Sequence, residues 1–268
     1  MAMKDTREPK VGPDTKISPD LAPDEALPAK KADEVPAAPS SSGQEIADFL
    51  AKMQALPRQA GHGHGRLIFA MDATMSRQPT WDMAMQLQSE MFAAVDKIGG
   101  LDVQLVYFRG FGECRASKWV GNPMALQRLM TQVGCQGGRT QIGKVLTHAR
   151  REAEIQRVNA LVYVGDSMEE SVDDLCARAG ELGLLGVPVF LFQEGSDPVA
   201  ERTFKEICRL TGGAWCRFDA GSAAQLRELL AAVAVFATGG REALLKLGAG
   251  PTGGGARALL QQMKPSAS

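Results

Sequence analysis

Short apolar runs recurring between amphipathic stretches constrain this chain more than any other feature. RLIFAM (66–71), LDVQLVYF (101–108), ALVYVG (160–165), VPVFLFQ (187–193) and AWCRFD (214–219) are strand-length and rich in β-branched and aromatic residues. The gaps between them carry helical spacing. Residues 79–98 put Ala84, Leu87, Met91, Val95 and Ile98 on one face, and 123–133, 141–156, 171–183, 198–210 and 222–237 also read as helices. ECRASKWV (113–120) is more polar and follows an RGFG turn, the pattern of an edge strand. Continuous apolar strands alternating with helices predict an α/β fold: a doubly wound, mostly parallel sheet with helices on both faces.

The flanks differ from this pattern. Residues 1–42 hold seven of the 14 prolines and no aromatic residue, and end in Ser40-Ser41-Ser42. Such a segment buries too little apolar surface to offset the entropy of ordering, so a disordered tail is expected. Residues 43–60 form one amphipathic helix, with Ile46, Phe49, Leu50, Met53 and Leu56 on a single stripe and Pro57 as its stop. The folded domain is expected over 61–238. A glycine-rich C-terminal tail with a short ARALLQQM helix is expected over 239–268.

Composition narrows the function classes. Thirty basic and 31 acidic residues leave a net charge of −1, which argues against general nucleic-acid binding. No apolar run reaches the roughly 20 residues that span a bilayer, and the N-terminal MAMKDTREPK has no signal-peptide core. A cytoplasmic protein is the expectation. The five cysteines are odd in number and have no CxxC spacing, so they read as apolar fillers rather than a zinc site or disulfide framework.

In a doubly wound sheet, ligands meet the carboxyl ends of the strands where strand order reverses. The first run ends in Asp72-Ala73-Thr74-Met75-Ser76, and the run at 160–165 is followed by Asp166-Ser167. Between them Gly137-Gly138-Arg139-Thr140 precedes a helix. Two carboxylates and three hydroxyls are thereby directed to one edge. All are hard oxygen donors, suited to Mg²⁺, Mn²⁺ or Ca²⁺. Helix capping by Asp72, Asp166 and Thr140 is the competing structural use of the same residues.

The order of these residues resembles the von Willebrand factor type A domain with its metal-ion-dependent adhesion site. That pattern is D-x-S-x-S, then a distant Thr, then a distant Asp after a later strand. Here it falls on Asp72, Thr74, Ser76, Thr140 and Asp166, with Thr74 in place of the first serine. The resemblance spans about residues 66–236. It implies a Rossmann-like fold, direct or near-direct metal ligation by Thr74, Ser76 and Thr140, and waters held by Asp72 and Asp166. It also implies a protein partner whose acidic side chain completes the coordination. Arg139, beside Thr140, is placed to bind that same carboxylate, with Glu169 and Glu170 on the rim.

A divalent-metal-dependent protein-binding module in an intracellular assembly is therefore the expected function, with no catalysis. Two alternatives stay open: a metal-assisted hydrolase or phosphatase using Asp72, Thr74 and Asp166, and a scaffold whose metal site is vestigial. Gly165-Asp166-Ser167 matches a lipase GDS triplet, but it lies deep in the chain and His148 is the only histidine after position 64. Asp72-Ala73-Thr74 lacks the second acid of the aspartyl phosphatases. His62 and His64 in GHGHG supply two ligands at most. The composition of the leader yields a first test: deleting residues 1–42 leaves the melting temperature nearly unchanged, and limited proteolysis of the full chain cuts there first.

Overall fold

The computed structural model describes residues 64–218 and 222–263. The expected tail over 1–42 and the expected helix over 43–60 lie outside the described residues. Six strands form one sheet: β1 (Gly65–Asp72), β2 (Leu101–Arg109), β3 (Glu113–Val120), β4 (Ala160–Gly165), β5 (Val189–Glu194) and β6 (Ala214–Phe218). Their order is β3-β2-β1-β4-β5-β6. All neighbouring pairs are parallel except β2–β3, so the polar run at 113–120 is the antiparallel edge strand its composition indicates.

Among the described residues, seven α-helices flank the sheet: α1 (Gln78–Val95), α2 (Pro123–Thr131), α3 (Ile142–Ile155), α4 (Val172–Leu184), α5 (Pro198–Thr211), α6 (Ala223–Ala249) and α7 (Gly254–Leu260). Alternation along β1 divides its side chains between two cores. Leu67, Phe69 and Met71 join α1, α2, α6 and α7 on one face, while Ile68 and Ala70 join α3, α4 and α5 on the other. Every residue of β1 and β4 is buried, which explains why these strands carry apolar residues at successive positions rather than at alternate ones.

Local chemistry sets the helix starts. Asn122 Oδ1 accepts from the Ala125 N–H ahead of α2, with Pro123 at the first helical position. Ser171 and Asp197 cap α4 and α5 in the same way. Gly212 closes α5 in the left-handed conformation at φ 71°.

The C-terminal end departs from expectation. Past Ala237 the helical stretch α6 runs on to Ala249 but is broken by a kink at Gly240 (φ 65°), so that a second helix follows the first. Leu244, Ala256, Leu259 and Met263 are buried in the first core, so the stretch read as a glycine-rich tail is part of the packed domain. Its glycines serve close approach: a Cβ on Gly255 would lie 2.6 Å from the Glu228 carbonyl oxygen of α6. Beyond α7, Gln262 lies against the edge strand β6. Its Oε1 accepts from the Trp215 N–H at 2.9 Å and its Nε2 donates to the Trp215 carbonyl at 2.5 Å.

Gly213 shows how tightly α5 hands over to β6. An added Cβ would sit 1.9 Å from the Val189 carbonyl oxygen on β5. Gly213→Ala therefore destabilises the chain by about 1–3 kcal/mol in urea unfolding, as overpacking against backbone does.

Candidate metal centre

Strand order reverses between β1 and β4, the neighbours at the centre of the sheet. β1 ends at Asp72 and β4 at Gly165, with Met71 paired to Val164. The segments carrying Asp72 and Asp166 therefore leave the sheet side by side. A third segment joins them through backbone hydrogen bonds. Gln136 N–H donates to the Ala73 carbonyl at 3.0 Å, Ala73 N–H to the Phe108 carbonyl at 3.0 Å, and Arg139 N–H to the Gly110 carbonyl at 3.1 Å. Gly138 packs on Gly110 so closely that a Cβ there would lie 2.1 Å from the Gly110 carbonyl oxygen. Gly138 thus admits the loop that delivers Thr140.

The expected residues occupy this edge. Asp72 is 1% exposed, and its Oδ1 accepts from the Thr74 N–H at 2.7 Å. This bond folds the chain back so that Thr74 Oγ1 and Ser76 Oγ approach to 3.4 Å. The buried Thr140 hydroxyl accepts from the Glu169 N–H at 3.1 Å, tying the Thr140 loop to the one carrying Asp166. Asp166 is partly exposed, and its Oδ1 accepts from the Ser167 hydroxyl at 3.1 Å. Arg139 is exposed, and among the described residues its guanidinium has no ion-pair partner.

Helix capping does not account for Thr140. The residue at the start of α3 is Gln141, which makes no side-chain cap. Glu170 does that work: Oε1 accepts from Ile142 N–H at 2.5 Å and Oε2 from Gly143 N–H at 2.9 Å. Glu170 is thus committed to the α3 N-terminus rather than to a free acidic rim. Composition alone did not separate it from Glu169; the four-residue distance to Asp166 places both near the edge, and only the backbone contact tells them apart.

Sequence reasoning also missed Arg77, which follows Ser76 and is 4% exposed. Its guanidinium donates to Thr80 Oγ1 at 2.8 Å, pairs tightly with Glu194, and stands 3.4 Å from Asp166 Oδ2. Glu194 ends β5, so the rule that residues at the carboxyl ends of strands converge was sufficient to find it. Arg77 bridges Glu194 and Asp166, while Asp72 has no ion pair among the described residues. Burial pushes the Asp72 carboxyl up to about 6, Asp166 adds to the rise, and the Thr74 hydrogen bonds and Arg77 only partly oppose it. Nearby, the fully buried Tyr163 hydroxyl has no hydrogen-bond partner.

The chemistry of this donor set fits a hard divalent ion: the undercompensated Asp72 carboxyl, the Asp166 carboxylate and three hydroxyls from three separate loops. It does not resemble a His/Cys centre, and among the described residues no cluster of three or more His, Cys, Asp or Glu residues forms one. Cys135, Cys208 and Cys216 are buried in the two cores, while Cys114 and Cys176 are partly exposed.

No protein-family profile and no curated protein matches this chain. Solved structures do. A von Willebrand factor type A protein from Catenulispora acidiphila aligns over 66% of this chain and 43% of its own, with TM-score 0.53 and 16% identity. The pilus adhesin SpaC from Lactobacillus rhamnosus GG aligns over 66% and 30%, at 0.50 and 12%. Proximal thread matrix protein 1 from the mussel byssus aligns over 64% and 46%, at 0.50 and 16%. The chain thus spans less than half the length of each of these proteins. The fold is the von Willebrand factor type A fold, an α/β sheet of mostly parallel strands between two helical layers.

Asp72 supplies a pH test. Its carboxyl titrates near 6 in the folded chain, against an ordinary value of 3.8. Between these values the folded state keeps a proton that the unfolded state has released. Stability from this group therefore falls as pH rises, by up to about 1.4 kcal/mol per pH unit. Urea unfolding of Asp72→Asn, measured without divalent ions across the same window, lacks this component and has a correspondingly flatter fall than the wild type.

Proposed function

We propose that this chain is a divalent-metal-dependent protein-binding module of an intracellular assembly, without catalytic activity. Asp72, Thr74, Ser76, Thr140 and Asp166 hold Mg²⁺, or alternatively Mn²⁺ or Ca²⁺, at the edge between β1 and β4. One observation supports the reading: the buried Asp72 carboxyl is pushed up by burial and by Asp166, and the Thr140 hydroxyl is tied to the Asp166 loop through the Glu169 N–H. A bound divalent ion supplies an electrophilic centre for an anionic oxygen, here a partner's Asp or Glu.

The chain's own groups set up that contact. The Asp72–Thr74 bond fixes the turn that holds Thr74 and Ser76 together. The Glu169 N–H holds the Thr140 oxygen in place. Arg139 is free to donate a charge-assisted hydrogen bond to the incoming carboxylate. Met75 and Phe111, 64% and 86% exposed, lie on loops at the same edge and suit an acid set among apolar neighbours. The non-enzymatic part of the reading is supported by His148, which bonds to Gln104 on β2 at 2.8 Å rather than serving this edge. No helix among the described residues is long and apolar enough to cross a membrane.

The test is thermal. An ion that binds only the folded state stabilises it by about 2.7 kcal/mol at 100 times its dissociation constant. Mg²⁺ or Mn²⁺ raises the melting temperature of the wild type and raises that of Asp72→Ala less. Equal shifts remove Asp72 from the site. Partner capture in Mg²⁺ is lost on chelation, weakened by Thr140→Ala and weakened less by Arg139→Ala. Capture unaffected by either chelation or Thr140→Ala moves the interaction elsewhere on the chain.

A further inference from the structure

A second polar feature lies on the α3 layer, separate from the metal edge. Edge strand β3 leaves part of its face bare beside α3, forming a cavity of about 350 Å³. Val106, Cys114 and Ala116 make its apolar floor, with Val106 and Ala116 directly paired across β2 and β3. α3 contributes Lys144, His148 and Arg151 to the wall. The spacing of four and then three residues keeps them on one helix face. Arg178 enters from α4 and Arg115 from β3. Four permanent cations therefore surround one cavity whose lining contains no carboxylate.

Most of that charge is uncompensated. Lys144 Nζ donates to two neutral oxygens, the Gly112 carbonyl and Gln141 Oε1, each at 2.8 Å. Arg178 donates to the Thr147 hydroxyl. Among the described residues Arg151 has no hydrogen bond or ion pair, and only Arg115 has an acidic partner, Glu113 at 3.3 Å. An adjoining cavity of about 270 Å³ shares Lys144 and Arg178 and includes Glu170 and Asp174. Glu170 is already held by the backbone N–H groups that open α3. The cationic cavity is thus flanked by acids on one side but contains none. A concave wall of one sign concentrates its field on an anion inside it, and three guanidinium forks suit phosphoryl oxygens.

We propose that this cavity binds a small molecule carrying two or more phosphoryl groups. A cavity of about 350 Å³ has roughly ten times the volume of a water molecule, more than a single phosphate fills. The cations lie on three different elements, so one charged group does not satisfy all of them. The apolar floor accommodates an organic portion between the charged walls.

Isothermal titration calorimetry tests this on the full chain in buffer stripped of divalent ions, so failure of the metal reading does not affect the result. The probes are pyrophosphate, ADP and adenosine. The expected result is a Kd below about 1 mM for pyrophosphate and ADP, with no heat from adenosine. ADP binding more tightly than pyrophosphate identifies an organic phosphate as the occupant; equal affinity identifies the bare polyphosphate. Arg151→Gln/Arg178→Gln weakens pyrophosphate binding by about tenfold or more. Arg128→Gln removes the same charge from α2 on the opposite layer and changes it less than about twofold. Should loss of the Arg178–Thr147 contact unfold the double variant, Arg151→Gln alone serves, with a loss of about threefold or more expected. No saturable pyrophosphate binding, smaller losses in the cavity variants, or an equal loss in Arg128→Gln overturns the proposal.

Discussion

Parallel pairing of β1 with β2 on one side and β4 on the other is the constraint on which the rest of the structure depends. A parallel pair needs a crossover helix over the sheet, so both faces of β1 are covered and all eight of its residues are buried. The strand has no outlet except its carboxyl end. The chain leaves there into Asp72-Ala73-Thr74, beside the end of β4. The same pairing that builds the two cores also brings the polar loops together. A charged group at the tip of such a strand inherits the burial of the strand, which is why Asp72 is 1% exposed and its carboxyl resists ionisation.

Arg77 and Glu194 show how the fold limits that strain without removing it. A buried guanidinium near two carboxylates would neutralise one of them if it had no other partner. Here Arg77 is shared: Glu194 and Thr80 hold one nitrogen, while the other pairs with Asp166 at 3.4 Å, so Asp166 gets part of the charge and Asp72 has no ion pair among the described residues. The edge is therefore neither fully compensated nor fully repulsive. This intermediate state suits a site that accepts a cation from solution, because a completely paired cluster has little electrostatic free energy to gain from one.

The fold was legible because its main signal is physical and local. Strands buried on both faces need apolar residues at successive positions, and the run at 160–165 coincides with β4; the more polar run at 113–120 coincides with the edge strand β3. The candidate donors were legible because they directly follow strands. What was not legible depends on contacts distant in sequence. Glu170 becomes a cap only because α3 starts beside it, 28 residues earlier in the chain. Arg77 is buried only because β5 ends in Glu194. The C-terminal glycines read as a linker because glycine marks both flexible segments and close packing; α6 and α7 approach closely enough to require the second use. The first part of α6 does break at Gly240, but a second helix follows it and its Leu244 packs in the first core.

The side-chain amide of Gln262 has a consequence for how this molecule meets its own kind. An outermost strand exposes a ladder of unused donors and acceptors, the surface on which stray strands nucleate aggregates. By presenting a carbonyl and an amino group in the spacing of a peptide unit, Gln262 imitates one residue of an additional strand at Trp215. The segment beyond α7 thus occupies one rung of this ladder with a single side chain. The opposite margin relies on a different device: β3 is antiparallel and carries Glu113, Arg115 and Lys118, charges that an incoming strand would have to desolvate. The two margins keep a sheet open at both ends from growing.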